Sequence, residues 1–148
     1  VGFMVGDGPL AEGIKAYCVS HKIPVSFSGF LNQSQMPGAY AVSDVLVLPS
    51  DARETWGLVV NEAFASGLPA IVSQESGCSP DLIQPGKTGA LFACGNVRRL
   101  AESMIELTKK SDKRAYMAKE AYAHIQGYAM AQSVKGIMQA LDAVSRKQ

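Results

Sequence analysis

The chain has 148 residues, 47% of them hydrophobic and 18% charged, a composition that suits one globular domain and excludes a wholly disordered chain. Its net charge of +1 at pH 7 gives no sign of the strongly basic surface that nucleic-acid binding requires, so we expect no nucleic-acid partner. The three cysteines are widely spaced and fit neither a disulfide framework nor a zinc site, which favours a reducing, cytoplasmic compartment.

The first part of the chain alternates short apolar runs with helical patterns. Strands are predicted at Phe3–Val5 and Pro24–Ser28, and helices from Leu10 to about His21 and across Ser34–Ser43. The chain opens within an apolar run that lacks the charge and length of a signal peptide. We therefore expect a fragment that begins in the middle of a strand.

The second part continues this alternation. Strands are predicted at Val45–Leu48, Ala70–Val72 and Gly89–Phe92, the first as an unbroken apolar run buried on both faces. Helices are predicted at Leu58–Ala65, Val97–Lys109, Asp112–Ile125 and Ala131–Val144. Asp112 is the expected N-cap of its helix. Residues 97–148 are interpreted as a helical tail that covers the sheet.

Strands that alternate with helices of about ten residues are typical of βαβ units. The predicted fold class is therefore α/β, a doubly wound parallel sheet of the Rossmann-like type, with residues 1–148 as a single domain. In such folds ligands bind at the carboxyl ends of the strands. No internal repeat or low-complexity tract suggests another organisation.

The segment 44–69 carries the strongest chemical signal. A buried strand, a polar loop and then a helix place a helix N-terminus at the carboxyl edge of the sheet, which favours an anion site. Gly57 would let a phosphate approach the backbone closely. Glu54 in the loop and Glu62 in the helix could accept hydrogen bonds from sugar hydroxyls. Chemistry alone favours the alternative, that both are solvated surface acids.

The run P-S-x-x-x-E-x-W-G-L-V-x-x-E-A-x-A-x-G-L-P resembles the E-x7-E region of the retaining glycosyltransferases of family GT4, which have the GT-B fold. Trp56 stands where the usual form of that motif has Phe. Five further motifs match at family spacing over residues 1 to 108: Gly6-Asp7-Gly8-Pro9, Phe27-Ser28-Gly29, Ala41-x-x-Asp44, Gly77-Cys78-x-Pro80-Asp81-Leu82 and Gly86-x-Thr88-Gly89.

The resemblance implies a role for each matched residue. Glu62 would bind the ribose hydroxyls, and Glu54, the one catalytic candidate, would bind the donor sugar and stabilise positive charge near its anomeric carbon. Met36 stands where some members have a base-contacting Lys, so the base is left open between UDP- and GDP-sugars. No metal or other cofactor is expected, since no D-x-D pair is present. The remaining donor-binding residues are Leu31, Asn32, Gln33, Thr55, Trp56, Gly57 and Leu58.

The resemblance also implies a partner domain. An N-terminal acceptor-binding domain and a first strand–helix unit with an Arg and a Lys for the diphosphate are both missing, so we expect the fragment alone to be inactive. Polysaccharide or lipid-linked glycan assembly is the expected setting. The basic cluster Lys109, Lys110, Lys113 and Arg114 is explained as a solvated helix junction, with peripheral contact to the inner face of the membrane as the alternative.

Three other functions remain open from the sequence. The chain could be a non-catalytic nucleotide-sugar-binding module, an epimerase-like GT-B relative or a phosphorylase. The presence of both Glu54 and Glu62 argues against a degenerate module. A phosphorylase would require a cofactor-bearing lysine, for which the sequence shows no context.

Overall fold

A computed structural model describes residues 1–145, and the chain falls into two compact units. The first comprises Val1–Ser43 and the second begins at Asp44. Each unit has its own parallel sheet, with two strands in the first and three in the second.

In the first unit, β1 (Gly2–Val5) pairs in parallel with β2 (Val25–Gly29). The connection is α1 (Ala11–Ser20), and α2 (Met36–Ala41) follows β2. Pro37 does not break α2, because it lies in the first turn, where a backbone N–H has no intrahelical acceptor in any case.

The second unit contains a three-stranded parallel sheet in the order β3-β4-β5. Its strands are β3 (Leu46–Leu48), β4 (Ala70–Ser73) and β5 (Gly89–Phe92). Its helices are α3 (Leu58–Ala65), α4 (Ser79–Leu82), α5 (Val97–Lys109), α6 (Ser111–Ile125) and α7 (Met130–Ser145). The predicted α/β class with parallel strands is confirmed.

Helices cover both faces of this sheet. As a result, β4 is buried along its whole length, and its side chains alternate between two cores. Val72 packs in the core that holds Phe64 of α3 and Ala121 of α6. Ile71 packs in the core that holds Leu107 of α5 and Met117 of α6. The first part of the predicted helical tail therefore covers the sheet, whereas α7 has no buried residue.

One prediction about these elements is wrong, and another holds in part. Asp112 is not an N-cap: α6 begins one residue earlier, its N-cap is Lys110, and Asp112 lies in the first turn, where its charge still faces the helix dipole favourably. The strand β3 packs against a core on both faces, as predicted, with Leu46 and Leu48 on one and Val47 on the other, but its residues are half-buried rather than fully buried. No helix among residues 1–145 is long and apolar enough to cross a lipid bilayer.

Candidate functional site

The start of α3 lies directly beyond the carboxyl end of β3, as the sequence predicts. The strand ends at Leu48, a loop follows, and Gly57 is the N-cap of the helix, with φ 99° and ψ 57°. A Cβ on Gly57 would lie 2.9 Å from Leu48 Cδ2 and 3.2 Å from Cys78 Sγ. Glycine is therefore required by a left-handed backbone and by close packing against β3 and the loop before α4.

The first turn of α3 carries no side-chain cap. Its first N–H groups have no acceptor within the helix, and the positive end of the helix dipole lies at this point. No acidic residue occurs in this turn, and Leu58, its first residue, is 67% exposed. An anion would find both hydrogen-bond donors and a favourable field here.

Glu54 lies in the loop before this helix and is half-buried. Its backbone N–H donates to the carbonyl oxygen of Asp51 at 3.0 Å. Its carboxylate Oε1 accepts a long hydrogen bond of 3.4 Å from the backbone N–H of Trp56. Glu54 is thus turned toward the start of α3 rather than away from it.

The loop that contains Glu54 is joined to the loop after β4 by two backbone hydrogen bonds. The N–H of Gly77 donates to the carbonyl oxygen of Glu54 at 3.2 Å, and the N–H of Cys78 donates to that of Trp56 at 2.8 Å. Because β3 and β4 are parallel neighbours, both loops leave the same edge of the sheet. Gly77 belongs to one of the sequence motifs named above, but its position in that motif gives no sign of this role.

Trp56 is held by its side chain as well. Its indole Nε1–H donates to Asn61 Oδ1 at 2.8 Å, and its ring packs against the core that contains Phe64. Asn61 was not singled out from the sequence, because a polar residue in a helix gives no periodic signal of its own.

Glu62 lies in the second turn of α3, beside the buried residues Ala63 and Phe64, and is half-buried. Glu54 and Glu62 thus flank the helix start on the same strand–loop–helix segment. That their carboxylates share one pocket stays a prediction. Thr55, between Glu54 and Trp56, is exposed.

Leu31, Asn32 and Gln33 lie in the first unit, between β2 and α2. Asn32 Oδ1 accepts from the N–H of Gln35 at 3.1 Å, and Gln35 Oε1 accepts from the N–H of Asn32 at 3.0 Å. This reciprocal pair is the arrangement of a capping box. It occupies the Asn32 side chain and N–H, which leaves the backbone of Leu31 and Gln33 for the predicted base contacts.

Cys78 is the thiol nearest to this segment, and it is fully buried. Burial raises the pKa of its thiol, and the negative charges of Glu54 and Asp81 raise it further. Cys78 is therefore a packing residue rather than a reactive nucleophile.

Residues 1–145 contain no group of three or more His, Cys, Asp or Glu side chains that could hold a metal ion. A cavity of about 270 Å³ lies elsewhere, beside β5, where Arg99 and Ser103 of α5 and Lys113 of α6 line it. Metal independence of the reaction stays a prediction.

Comparisons with known proteins agree with the resemblance. Residues 2–124 match the family model described as "Glycosyl transferases group 1". The chain is 37% identical over 127 residues to a sulfoquinovosyl transferase of Arabidopsis thaliana, covering 84% of this chain and 24% of that protein. It is 30% identical over 122 residues to a GDP-mannose-dependent α-(1-6)-phosphatidylinositol monomannoside mannosyltransferase of Mycobacterium tuberculosis, covering 77% of this chain and 31% of that protein.

Solved structures match over nearly the whole chain. The Anabaena protein HepE in complex with UDP is 25% identical, with a TM-score of 0.77 over 95% of this chain and 40% of that one. Sucrose-phosphate synthase from Thermosynechococcus elongatus is also 25% identical, with a TM-score of 0.78 over 96% of this chain and 38% of that one. The chain therefore spans about a quarter to two fifths of the length of the relatives it matches.

Proposed function

Since the chain belongs to the group 1 glycosyl transferases, we propose that it is the C-terminal, nucleotide-sugar-binding domain of a retaining enzyme of family GT4. The whole protein would transfer a sugar from a nucleoside diphosphate to an acceptor hydroxyl. One observation carries the proposal: the uncapped N-terminus of α3 follows a left-handed Gly57 at the carboxyl edge of a parallel sheet.

The diphosphate of the donor is the ligand that this helix end suits best. Its charge rises as the bond to the sugar breaks, and a fixed dipole with free N–H groups stabilises that charge without a metal ion. The backbone N–H groups of Trp56, Gly57 and Leu58 are the proposed donors. Glu54 accepts only a long hydrogen bond of 3.4 Å from the Trp56 N–H, and its carboxylate would turn away from that N–H when the diphosphate binds, because the two negative charges repel.

The two glutamates would bind the two sugar groups of the donor, the ribose and the transferred sugar. Glu62 would accept hydrogen bonds from the two ribose hydroxyls, and its half-buried position makes such bonds stronger than they would be in open water. Glu54 would bind donor-sugar hydroxyls, with Thr55 beside it, and stabilise positive charge at the anomeric carbon. Leu31 and Gln33 keep the role of base contacts that the resemblance implies, whereas the N–H and side chain of Asn32 are already bonded to Gln35.

Relatives support a nucleoside diphosphate donor and leave its base open. One is named as GDP-mannose-dependent, and another was solved in complex with UDP. We propose a UDP- or GDP-sugar as the donor and no metal cofactor. The acceptor would bind to a separate N-terminal domain, so the chain by itself should not transfer sugar. The enzyme would work in the cytoplasm, where the basic cluster of Lys109, Lys110, Lys113 and Arg114 could touch an anionic membrane face.

Calorimetric titration of UDP, GDP and ADP into the longest natural protein that carries this sequence tests the proposal. We expect one nucleotide to bind, and Glu62→Ala to weaken it by about tenfold or more, since a hydrogen bond to a charged group contributes about 1.5–3 kcal/mol. Glu102→Ala on the exposed face of α5 is the control and should bind as the parent does. Unchanged affinity in Glu62→Ala would reject the donor site.

A further inference from the structure

We propose that Asn61 is a positioning residue for the donor loop, acting through the indole of Trp56. The inference rests on the proposed function, because it assigns to Asn61 the task of setting where the first N–H groups of α3 lie. Its basis is the hydrogen bond of 2.8 Å from Trp56 Nε1 to Asn61 Oδ1.

The two residues occupy defined positions of the helix start. Gly57 is the N-cap, so Trp56 is the residue before the cap and Asn61 is the fourth residue of the helix. In many helices these two positions carry apolar side chains that pack together and fix the angle at which the chain enters the helix. Here a directional hydrogen bond takes the place of that apolar contact.

Few other side-chain interactions fix the angle at which the chain enters α3. Gly57 has no side chain, and no side chain caps the helix. The carbonyl oxygen of Trp56 accepts from the Cys78 N–H at 2.8 Å, so the backbone of Trp56 is held on one side and its indole on the other. Loss of the Asn61 contact would free the indole end and let the loop between Glu54 and Gly57 change its angle.

The residue types at positions 56 and 61 depend on each other, because one supplies a hydrogen-bond donor and the other its acceptor. An indole N–H only donates, and Trp56 is half-buried against a core, so without an acceptor it would remain unsatisfied. The Asn61 amide is likewise half-buried. A Phe at position 56, the usual residue of the resembling motif, would therefore suit an apolar residue at position 61 better than Asn.

A double-mutant cycle tests this dependence. Trp56→Phe and Asn61→Leu should each lower the midpoint of urea unfolding, and the double variant should lose less than the sum of the two. Asn61→Asp, which keeps an acceptor oxygen, should unfold close to the parent. Trp56 is the only tryptophan of the chain, so its fluorescence emission should shift in Asn61→Leu and stay near the parent in Asn61→Asp.

Nucleotide affinity separates positioning from mere stabilisation. In the longest natural protein, Asn61→Leu should weaken binding of the UDP or GDP that the parent binds by about tenfold, and the double variant should recover most of it. Additive unfolding effects would overturn the pair itself. Coupled unfolding with unchanged affinity would overturn the positioning role and leave the proposed function standing. Absence of nucleotide binding in the parent would instead overturn the proposed function, and the positioning role with it.

Discussion

Gly77 approaches the carbonyl oxygen of Thr55 so closely that a Cβ on residue 77 would lie 1.9 Å from that oxygen. The next atoms in its way would be the Thr55 carbonyl carbon at 2.7 Å and Trp56 Cα at 3.1 Å, so backbone rather than a flexible side chain fills the space. The loops after β3 and β4 therefore form one packed unit, and the shape of the proposed donor loop depends on a glycine outside it.

Gly77→Ala should separate these two loops. The added methyl group cannot be accommodated without a backbone shift, which we expect to cost about 1–3 kcal/mol of unfolding free energy, as overpacked sites do. Nucleotide binding should fall as well, since Glu54 and Trp56 lose their backbone partners. Urea unfolding and calorimetric titration measure the two effects.

Gly127→Ala is the matched control for this variant. Nothing lies within 4 Å of a Cβ placed there, and Gly127 does not have a positive φ. It should unfold within about 0.5 kcal/mol of the parent, as surface substitutions do. Equal losses in the two variants would contradict the close contact of Gly77 with Thr55.

The sequence predicted the helix that carries the site because its signals are local. The predicted bounds of α3 are those of the structure, and Gly67, which ends it, has the left-handed φ of 75° that such stops require. Gly57 was also singled out, but for the approach of a phosphate. The structure adds a reason that sequence could not supply, the packing of its Cα against Leu48 and Cys78.

Contacts across the chain could not be predicted in this way. The Gly77–Thr55 contact depends on two loops that meet only when β3 and β4 pair, and no spacing within either loop encodes it. The hydrogen bond from Trp56 to Asn61 is local, yet it depends on side-chain directions that a residue pattern does not fix. Asp112 was wrongly predicted to be an N-cap because Asp is favoured both at N-caps and elsewhere in the first turn of a helix.

Asn96 before α5 and Asp112 in the first turn of α6 should differ in how much they stabilise their helices. Asn96 Oδ1 accepts from the N–H of Arg99 at 3.0 Å and is a true N-cap, so Asn96→Ala should cost about 1 kcal/mol. Asp112→Ala should cost less, because only a favourable dipole interaction is lost. Parallel urea unfolding of the two variants checks the order, and a larger loss at Asp112 would show that the cap assignment is wrong.

The exposed and the buried cysteines should react with a thiol reagent at different rates. Cys94 is exposed, whereas Cys18 and Cys78 are buried, and burial also raises the pKa of the Cys78 thiol. Because the thiolate is the reactive form, Cys94 should be labelled rapidly and Cys78 only after unfolding. Mass spectrometry of peptides after timed labelling measures the extent of reaction at each cysteine. Rapid labelling of Cys78 in the native protein would mean that the loop before α4 opens readily.

Glu106 should make stability depend on pH in the acid range. Its Oε1 accepts from Lys110 Nζ at 2.9 Å and from Lys113 Nζ at 3.0 Å, and these contacts lower its pKa to about 2. The unfolded chain has a Glu pKa of about 4.3, so it binds more protons than the folded chain between these values. This stabilisation is therefore complete above the unfolded pKa and is lost as the pH falls toward about 2.

Glu106→Gln should flatten that acid slope in urea unfolding measured across a pH series. The Glu106 side chain is 40% exposed, so water and salt screen its ion pairs, and the effect should be modest and weaker at high salt. Glu102→Gln is the matched control, since it alters another acid of the same helix that is 47% exposed and pairs only within α5. If both variants flattened the slope equally, the link from Glu106 to Lys113 of α6 would have no special part in it.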